Sequence, residues 1–252
     1  MRIFLAGATG AIGRRLAPLL CEAGYDVVGM TRSPSKGDAL RAAGVEPAVV
    51  DVFDASGLSR AIRAARPDIV IHQLTDLPPG LDASRMAEGL RRNARVRAEG
   101  TQNLVSAMLN AHVRRLLAQS IAWVYAPARE PHAEDDPLDV DAQGARGVTV
   151  AGVLALERLT LSSLPIEGVA LRYGHLYGPG TGAALPKEPP SLHVDAAARA
   201  ALLAVEKAMS GVYNIAEPCD YLSAEKARRE LGFDPSFRLD AHRGIALSHR
   251  DS

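Results

Sequence analysis

Lysine is scarce in this chain of 252 residues, which carries four lysines beside 25 arginines. No lysine lies between Lys36 and Lys187, so more than half of the chain has none. Six tyrosines are present, yet none has a lysine four positions later. Because one common class of enzymes needs a tyrosine and a lysine together, this scarcity bears on the chemistry that the chain can perform.

Other absences exclude several classes of protein. Two cysteines, Cys21 and Cys219, form no disulfide framework and are typical of small core residues in a reducing compartment. Acidic and basic groups number 29 each, which gives no reason to expect nucleic acid as a partner. No apolar run approaches the roughly 20 residues of a membrane span, and the start MRIFLAGATG lacks the pattern of a signal peptide. We therefore expect a cytoplasmic protein that acts on a small molecule and has no membrane partner.

Short apolar runs alternate with amphipathic segments along the chain. A chain of this length with 47% apolar residues can form one large α/β domain, or a domain with a small lobe. The alternation predicts a parallel sheet covered by helices on both faces. Strands are predicted at 2–6, 25–31, 45–50, 68–72, 114–120, 166–172 and 211–215, and helices at 11–23, 34–43, 55–65, 84–112, 148–163, 195–209 and from 223 to a stop at Gly232.

The glycine-rich segment GATGAIG, residues 7–13, follows the first strand directly and begins the first helix. In that context Gly7 makes the tight turn, Gly10 lets the backbone approach a pyrophosphate, and Gly13 lets the helix pack on the strand. The helix N-terminus adds free N–H groups and the positive end of the helix dipole. A plain turn is the alternative, but the context predicts a dinucleotide site.

The end of the second strand indicates which dinucleotide is bound. An acidic residue there would hydrogen-bond the ribose 2′-hydroxyl of NAD, but the sequence has Arg32 followed by Ser33. A guanidinium suits a 2′-phosphate, so the preferred cofactor is NADP rather than NAD. The alternative is a solvated surface arginine in an arginine-rich protein.

Several motifs occur together and in order along the chain. They are GATGAIG at 7–13, Asp51-Val52, His72-Gln73-Leu74-Thr75, Asn93 with GTQNL at 100–104, Val124-Tyr125, LRYGHLYGP at 171–179, His193-Val194-Asp195, and ARRELGF at 227–233. As a set they resemble the extended short-chain dehydrogenase/reductase family, in its NAD-dependent epimerase/dehydratase branch. The resemblance implies a Rossmann-type doubly wound parallel sheet with a small, shortened C-terminal lobe. We expect an NADP-binding core over 1–165, and the last core strands plus a small substrate-binding lobe over 166–252, in one compact unit.

The resemblance also implies roles for individual residues. The pyrophosphate is expected on Gly7, Thr9, Gly10, Ala11 and Ile12. Asp51 and Val52 should flank the adenine, although Asp51 can equally be a turn acid. Leu74 and Thr75 should line the path toward the nicotinamide ribose, and Arg172 falls where relatives often contact a phosphate of the substrate.

The catalytic pattern of the family is broken in this sequence. Members use a serine or threonine, a tyrosine that passes a proton to or from the substrate oxygen, and a lysine that lowers the tyrosine pKa and binds the nicotinamide ribose. With Glu157 aligned on the acid that the family carries on that helix, the tyrosine position falls on Thr149 and the lysine position on Val153. Ser120 lies one residue before the expected serine position, which is occupied by Ile121.

Four residues near the same sheet edge are candidates to act in place of the missing pair. His175 follows the sixth strand and has an ordinary pKa suited to acid–base chemistry near neutral pH. Tyr125, Tyr177 and Ser120 offer hydroxyls, and Tyr177 can also contact the substrate. Each can instead be a packing residue, as can Trp123, the single tryptophan.

Two further clusters favour simpler interpretations. The run HAEDD at 132–136 lacks the spacing of a metal site, so we expect no metal. Arg91, Arg92, Arg95 and Arg97 lie on the long helix predicted at 84–112, and are either a solvated face or a homodimer contact.

Three functions remain open from the sequence. The first is an NADP-dependent oxidoreductase or epimerase that acts on a small carbonyl or alcohol with a non-standard acid–base set. The second is a non-catalytic NADP-binding sensor or regulator, and the third is an isomerase or lyase that uses the pocket without hydride transfer. The analogy of fold favours the first.

Overall fold

A parallel sheet of seven strands is the centre of the molecule. The computed structural model describes residues 1–239. The strands are β1 (Arg2–Ala6), β2 (Asp26–Thr31), β3 (Glu46–Val49), β4 (Ile69–His72), β5 (Arg115–Ile121), β6 (Glu167–Tyr173), β7 (His175–Tyr177), β8 (Ser191–His193) and β9 (Gly211–Ile215). The helices are α1 (Gly13–Glu22), α2 (Pro34–Ala42), α3 (Ala55–Ala65), α4 (Met86–Arg95), α5 (Thr101–Asn110), α6 (Gly144–Ser162), α7 (Val194–Lys207) and α8 (Glu225–Leu231).

The strand order of the sheet is β3-β2-β1-β4-β5-β6-β9, and β7 pairs with β8 in a separate two-stranded sheet. After β3 the chain returns across the sheet to β4, on the other side of β1, so the direction of winding reverses between β1 and β4. At such a reversal a crevice opens at the carboxyl ends of the strands, where ligands bind in this architecture. The predicted doubly wound parallel sheet is confirmed.

Alternate residues of β1 show how the two faces of the sheet are covered. Ile3 and Leu5 are buried in a core that includes α1 and α7, whereas Phe4 and Ala6 are buried in a second core that includes α3 and α5. Because successive side chains of a strand point to opposite faces, a fully apolar strand requires helices on both sides. The near-continuous apolar runs in the sequence have this origin.

The structure corrects the predicted helix at 84–112. That region has 3₁₀ turns at Pro79–Leu81 and Ala83–Arg85, then α4, a π-helical turn at Val96–Gly100, and α5. A π-helical turn holds an extra residue, which shifts the direction in which the following side chains point. Apolar periodicity alone does not reveal such a turn.

Two further boundaries differ from the sequence prediction. Helix α6 begins at Gly144 rather than 148, and the short strands β7 and β8 were not predicted. A strand of three residues is too short to show the alternation by which strands are recognised. Among the described residues, no helix combines the length and the apolar character needed to cross a membrane.

The residue that ends α3 has a strained backbone conformation, and its effect on stability can be tested. Arg66 ends this helix in the left-handed region, with φ of 46°, and is exposed. Arg66→Gly should raise the free energy of unfolding by about 0.5–1 kcal/mol, because glycine adopts this conformation without steric cost. The control is Arg63→Gly, inside the same helix, which should lower that free energy by about 1 kcal/mol. Urea unfolding followed by circular dichroism measures both, and a less stable Arg66→Gly variant contradicts the prediction.

Candidate active site

The loop between β1 and α1 is a cradle that only glycine can form. Gly7 has φ of 91°, and a Cβ atom there would lie 2.6 Å from the carbonyl oxygen of Gln73. A Cβ atom on Gly13 would overlap the Gly7 carbonyl oxygen. Among the described residues, no hydrogen bond uses the backbone N–H of Ala11 or Ile12. These free donors at the start of α1 fit the pyrophosphate of a dinucleotide.

A cleft opens beside this loop at the reversal between β1 and β4. Seven predicted cofactor residues line it: Gly7, Thr9, Gly10, Arg32, Val52, Leu74 and Thr75. The side chains of Ala11 and Ile12 pack toward the core instead, so their contribution to binding is through the backbone. Seven further lining residues were not among the predicted contacts: Met30, Thr31, Lys36, Phe53, Gln73, Asp76 and Val96.

Asp51 and Ser33 make local contacts in the structure. The Asp51 carboxylate accepts a hydrogen bond from the Phe53 N–H at 2.9 Å, which is the turn interpretation of this acid. The Ser33 hydroxyl lies 2.7 Å from the Ser35 hydroxyl. Their predicted cofactor contacts remain predictions.

Two basic side chains lie at the end of the cleft that follows β2. Arg32 is 58% exposed and only loosely paired, at 3.8 Å from Asp76. Lys36, in the first turn of α2, lines the same cleft. The sequence signal for Lys36 is its position four residues after Arg32, at the start of the helix that follows β2.

Gln73 brings an unpaired acceptor to the other end of the cleft. Its side chain is almost fully buried, its Nε2 donates to the Tyr173 hydroxyl at 3.4 Å, and its Oε1 has no hydrogen-bond partner among the described residues. A buried acceptor without a partner is costly, and because this oxygen is fully enclosed, the amide must rotate before a ligand donor can bond it.

Ser120, Tyr125 and Arg172 meet in one buried network under the sheet edge. Arg172 donates two hydrogen bonds to the Glu157 carboxylate, at 2.9 and 2.8 Å, and a third to the Tyr125 hydroxyl at 2.7 Å. Ser120 donates to Glu157 at 2.6 Å, and Tyr125 donates to the Asn214 side chain at 2.6 Å. All five side chains are buried.

The pKa shifts in this network favour a structural role for its residues over a catalytic one. Burial opposes the charged guanidinium, but the Glu157 carboxylate outweighs burial and raises the pKa of Arg172. Burial also raises the pKa of Tyr125, although Arg172 acts in the opposite direction. An activated catalytic tyrosine needs the reverse shift. The Ser120 and Tyr125 hydroxyls are thus engaged within the protein, and their catalytic roles stay predictions, as does the substrate contact of Arg172.

His175 is more accessible than the buried Ser120 and Tyr125. Its side chain is 32% exposed, stacks on Trp123 with ring centroids 3.7 Å apart, and lies 3.8 Å from Glu188. Burial lowers the pKa of His175, with Glu188 opposing, so the neutral imidazole prevails near neutral pH. The Tyr177 hydroxyl donates to Glu217 at 2.6 Å and accepts from Arg238 at 3.0 Å.

The predicted positions of the missing tyrosine and lysine are occupied by Thr149 and Val153. The first side chain bonds its own helix, and the second is apolar. The Thr149 hydroxyl donates to the carbonyl of Ala145 in its own helix, at 3.1 Å. Val153 is fully buried in a cluster with Ile121 and Val150, against which Trp123 packs. An apolar wall therefore lies where the sequence alignment predicts the proton-transfer groups of the family.

Two clusters from the sequence remain, the run HAEDD at 132–136 and the arginines of the segment at 84–112. Within residues 1–239, no group of three or more potential ligands is arranged to hold a metal ion. On the long helical segment, Arg92 and Arg95 pair with Glu88 and Glu99 four residues away, as on a solvated face. Dimerisation through this segment remains a prediction.

The fold and the glycine cradle define a dinucleotide-binding protein, and comparison with known proteins narrows the class. The family model "NAD dependent epimerase/dehydratase family" matches residues 3–191, so the chain belongs to this family. A curated relative, the 3-diazoavenalumate denitrifying reductase of a Streptomyces species, is 41% identical over 288 aligned positions, which cover 98% of this chain and 92% of the relative.

Solved structures confirm the fold. The UDP-glucose 4-epimerase of Thermotoga maritima superposes with a TM-score of 0.75, at 20% identity over 94% of both chains. That of Thermus thermophilus, solved with NAD, gives a TM-score of 0.73, at 21% identity over 97% of this chain and 96% of the other. The resemblance inferred from the motifs is confirmed.

The buried network generates a stability prediction. Glu157→Ala should lower the free energy of unfolding by about 3–5 kcal/mol, because it leaves the Arg172 guanidinium buried without its carboxylate. The matched control is Glu99→Ala, which breaks the exposed pair with Arg95 and should have a much smaller effect. Equilibrium unfolding in urea measures both, and equal losses would contradict the prediction.

Proposed function

We propose that this protein is an NADPH-dependent reductase whose substrate accepts hydride without taking a proton from the enzyme, and that this substrate is an aromatic diazonium compound. The observation that carries the proposal is the apolar wall around Val153 beside a complete dinucleotide cleft. The cofactor site is retained, whereas the proton-transfer pair is replaced by groups that cannot perform its chemistry.

The argument depends on what each acceptor needs. A carbonyl that receives hydride becomes an alkoxide, which must then be protonated. Thr149 bonds its own helix and Val153 has no polar atom, so neither side chain donates that proton. When hydride from NADPH adds to the ring carbon of an aryl diazonium, a C–H bond forms, the C–N electron pair leaves with dinitrogen, and NADP⁺ remains. No proton enters this balance.

The curated relative supports this choice of acceptor. Its name describes a denitrifying reductase of a diazo compound, and the identity of 41% extends over almost the whole of both chains. The solved epimerases, at about half that identity, support the fold alone.

The surroundings of the wall support an aromatic substrate. Trp123 packs against the apolar cluster of α6 and stacks on His175 with an interplanar angle of 16°. Flat aromatic side chains favour stacking with a planar ring. The link between Pro179 and His193 is short, which leaves fewer contacts for a nucleotide sugar.

Arg32 and Lys36 support NADP as the cofactor. Both lie at the end of the cleft that follows β2, where the ribose 2′-position of a bound dinucleotide is expected. Asp76 is the carboxylate near Arg32, and at 3.8 Å it leaves the guanidinium available to a phosphate.

A carbonyl reductase that uses His175 as the proton donor is the second candidate. The observation in its favour is the partial exposure of His175 at the same sheet edge. Against it, burial lowers the pKa of His175, so less of the protonated acid is present at neutral pH.

Isotope labelling tests the proposed reaction. The protein is mixed with NADPH deuterated at C4 and 4-carboxybenzenediazonium, and we expect benzoate with deuterium at the ring position that carried the diazonium group. In D₂O with unlabelled NADPH that position should carry no deuterium. His175→Ala should retain the activity, and a reaction without protein gives the background rate. Turnover of carbonyl compounds that is lost in His175→Ala, or tight NADPH binding without reduction of the diazonium, contradicts the proposal.

Cofactor choice has its own test. Arg32→Asp should weaken NADPH binding by about 10- to 100-fold, because a charge-assisted contact to the phosphate is lost and a repulsive charge is introduced. NADH binding should change little. Arg63→Asp makes the same change of charge on the exposed face of α3 and serves as control. Fluorescence titration gives the dissociation constants, and equal or tighter binding of NADH by the unmodified protein contradicts the preference.

A further inference from the structure

Arg97 lies inside the protein on the π-helical turn between α4 and α5. Its side chain is 6% exposed. It extends toward α6, where its Cδ atom lies 3.4 Å from the position that a Cβ atom on Gly152 would take. The absence of a side chain at Gly152 therefore leaves space for the arginine stem beside the next residue, Val153.

The charge of Arg97 has no direct partner in the described part of the chain. None of the hydrogen bonds or ion pairs within residues 1–239 involves its guanidinium. Glu157 attracts it electrostatically, but that carboxylate is already bonded by Ser120 and Arg172. Burial lowers the pKa of Arg97 to about 10, with Glu157 opposing, so the group is still a cation at neutral pH.

A buried guanidinium with unsatisfied N–H groups is unfavourable unless a ligand supplies acceptors. Within residues 1–239, several polar atoms are fully enclosed and lack a hydrogen-bond partner, but none of them is a nitrogen of Arg97. Because no group in that part of the chain bonds these nitrogens, they keep at least a small contact with solvent-accessible space, although Arg97 itself does not line the cleft. The neighbouring residue, Val96, lines the dinucleotide cleft.

The position of Arg97 indicates which part of a bound dinucleotide it contacts. Aligned through Glu157, Val153 falls at the position of the family lysine that is expected to bind the nicotinamide ribose. The Arg97 stem reaches the same turn of α6, beside Gly152. We propose that the Arg97 guanidinium binds the two hydroxyls of the nicotinamide ribose and so replaces the missing lysine in holding the cofactor. Two N–H groups in a planar fork match two adjacent hydroxyl oxygens. This inference concerns the cofactor alone and does not depend on the identity of the substrate.

Two nucleotide fragments test the assignment without any turnover. ADP-ribose contains the second ribose, whereas ADP lacks it, so the ratio of their dissociation constants isolates the contribution of that ribose. In the unmodified protein we expect ADP-ribose to bind at least tenfold more tightly than ADP, and Arg97→Met to remove most of this difference while ADP binding stays within twofold. Isothermal titration calorimetry measures all four constants. An unchanged ratio in Arg97→Met overturns the proposal, as does an equal loss for both fragments.

A second pair of variants separates the binding role from a purely structural one. In the Arg97→Met background, Val153→Lys should restore the tighter binding of ADP-ribose, whereas Val153→Leu should not. Failure of the lysine to restore it, or equal recovery with leucine, contradicts the assignment. If Arg97→Met does not fold, as judged by circular dichroism, Arg97→Lys keeps the charge but shortens the reach and should lower the ratio at least threefold. An unchanged ratio in Arg97→Lys then overturns the proposal.

Discussion

The ion pair between Glu157 and Arg172 fixes the side of the molecule on which the chemistry is expected. It joins α6 to β6, and the same carboxylate binds Ser120 on β5. Through Tyr125 the network continues to Asn214 on β9. Breaking such a pair would leave a charge buried in the protein, so the arrangement of α6 against the sheet depends on it. The apolar wall at Val153 and the space at Gly152 are held in place by this contact.

The two ends of the site have diverged to different extents from the family pattern. The end formed by the glycine loop keeps the backbone geometry that a pyrophosphate requires, because any side chain at Gly7 or Gly13 would collide with neighbouring backbone. At the end formed by α6, the predicted tyrosine and lysine positions fall on Thr149 and the buried Val153, beside Trp123, which stacks on His175. The proposed acceptor suits such a site because its leaving group carries the electrons away and no proton is needed.

Much of this arrangement is visible in the sequence because it depends on local pattern. The alternation of apolar runs predicted the sheet, and the glycine spacing predicted the cradle at residues 7–13. Lys36, Gln73 and Arg97 were not assigned to the site. Gln73 lies inside the motif His72-Gln73-Leu74-Thr75, but no role was assigned to it. Arg97 resembled the other charges on its helix, because the π-helical turn that directs it inward leaves no periodic signal.

The sequence by itself determined the fold, the cofactor cleft and the absence of the tyrosine and lysine, since each follows from residue types at fixed spacing. Only the tertiary structure decided that Ser120 and Arg172 both bond Glu157, and that Arg172 also bonds Tyr125, inside the protein. It also showed that Arg97, rather than its arginine neighbours, is buried. The physical reason is that burial and pairing depend on contacts between residues far apart in the chain, and spacing along one segment does not encode them.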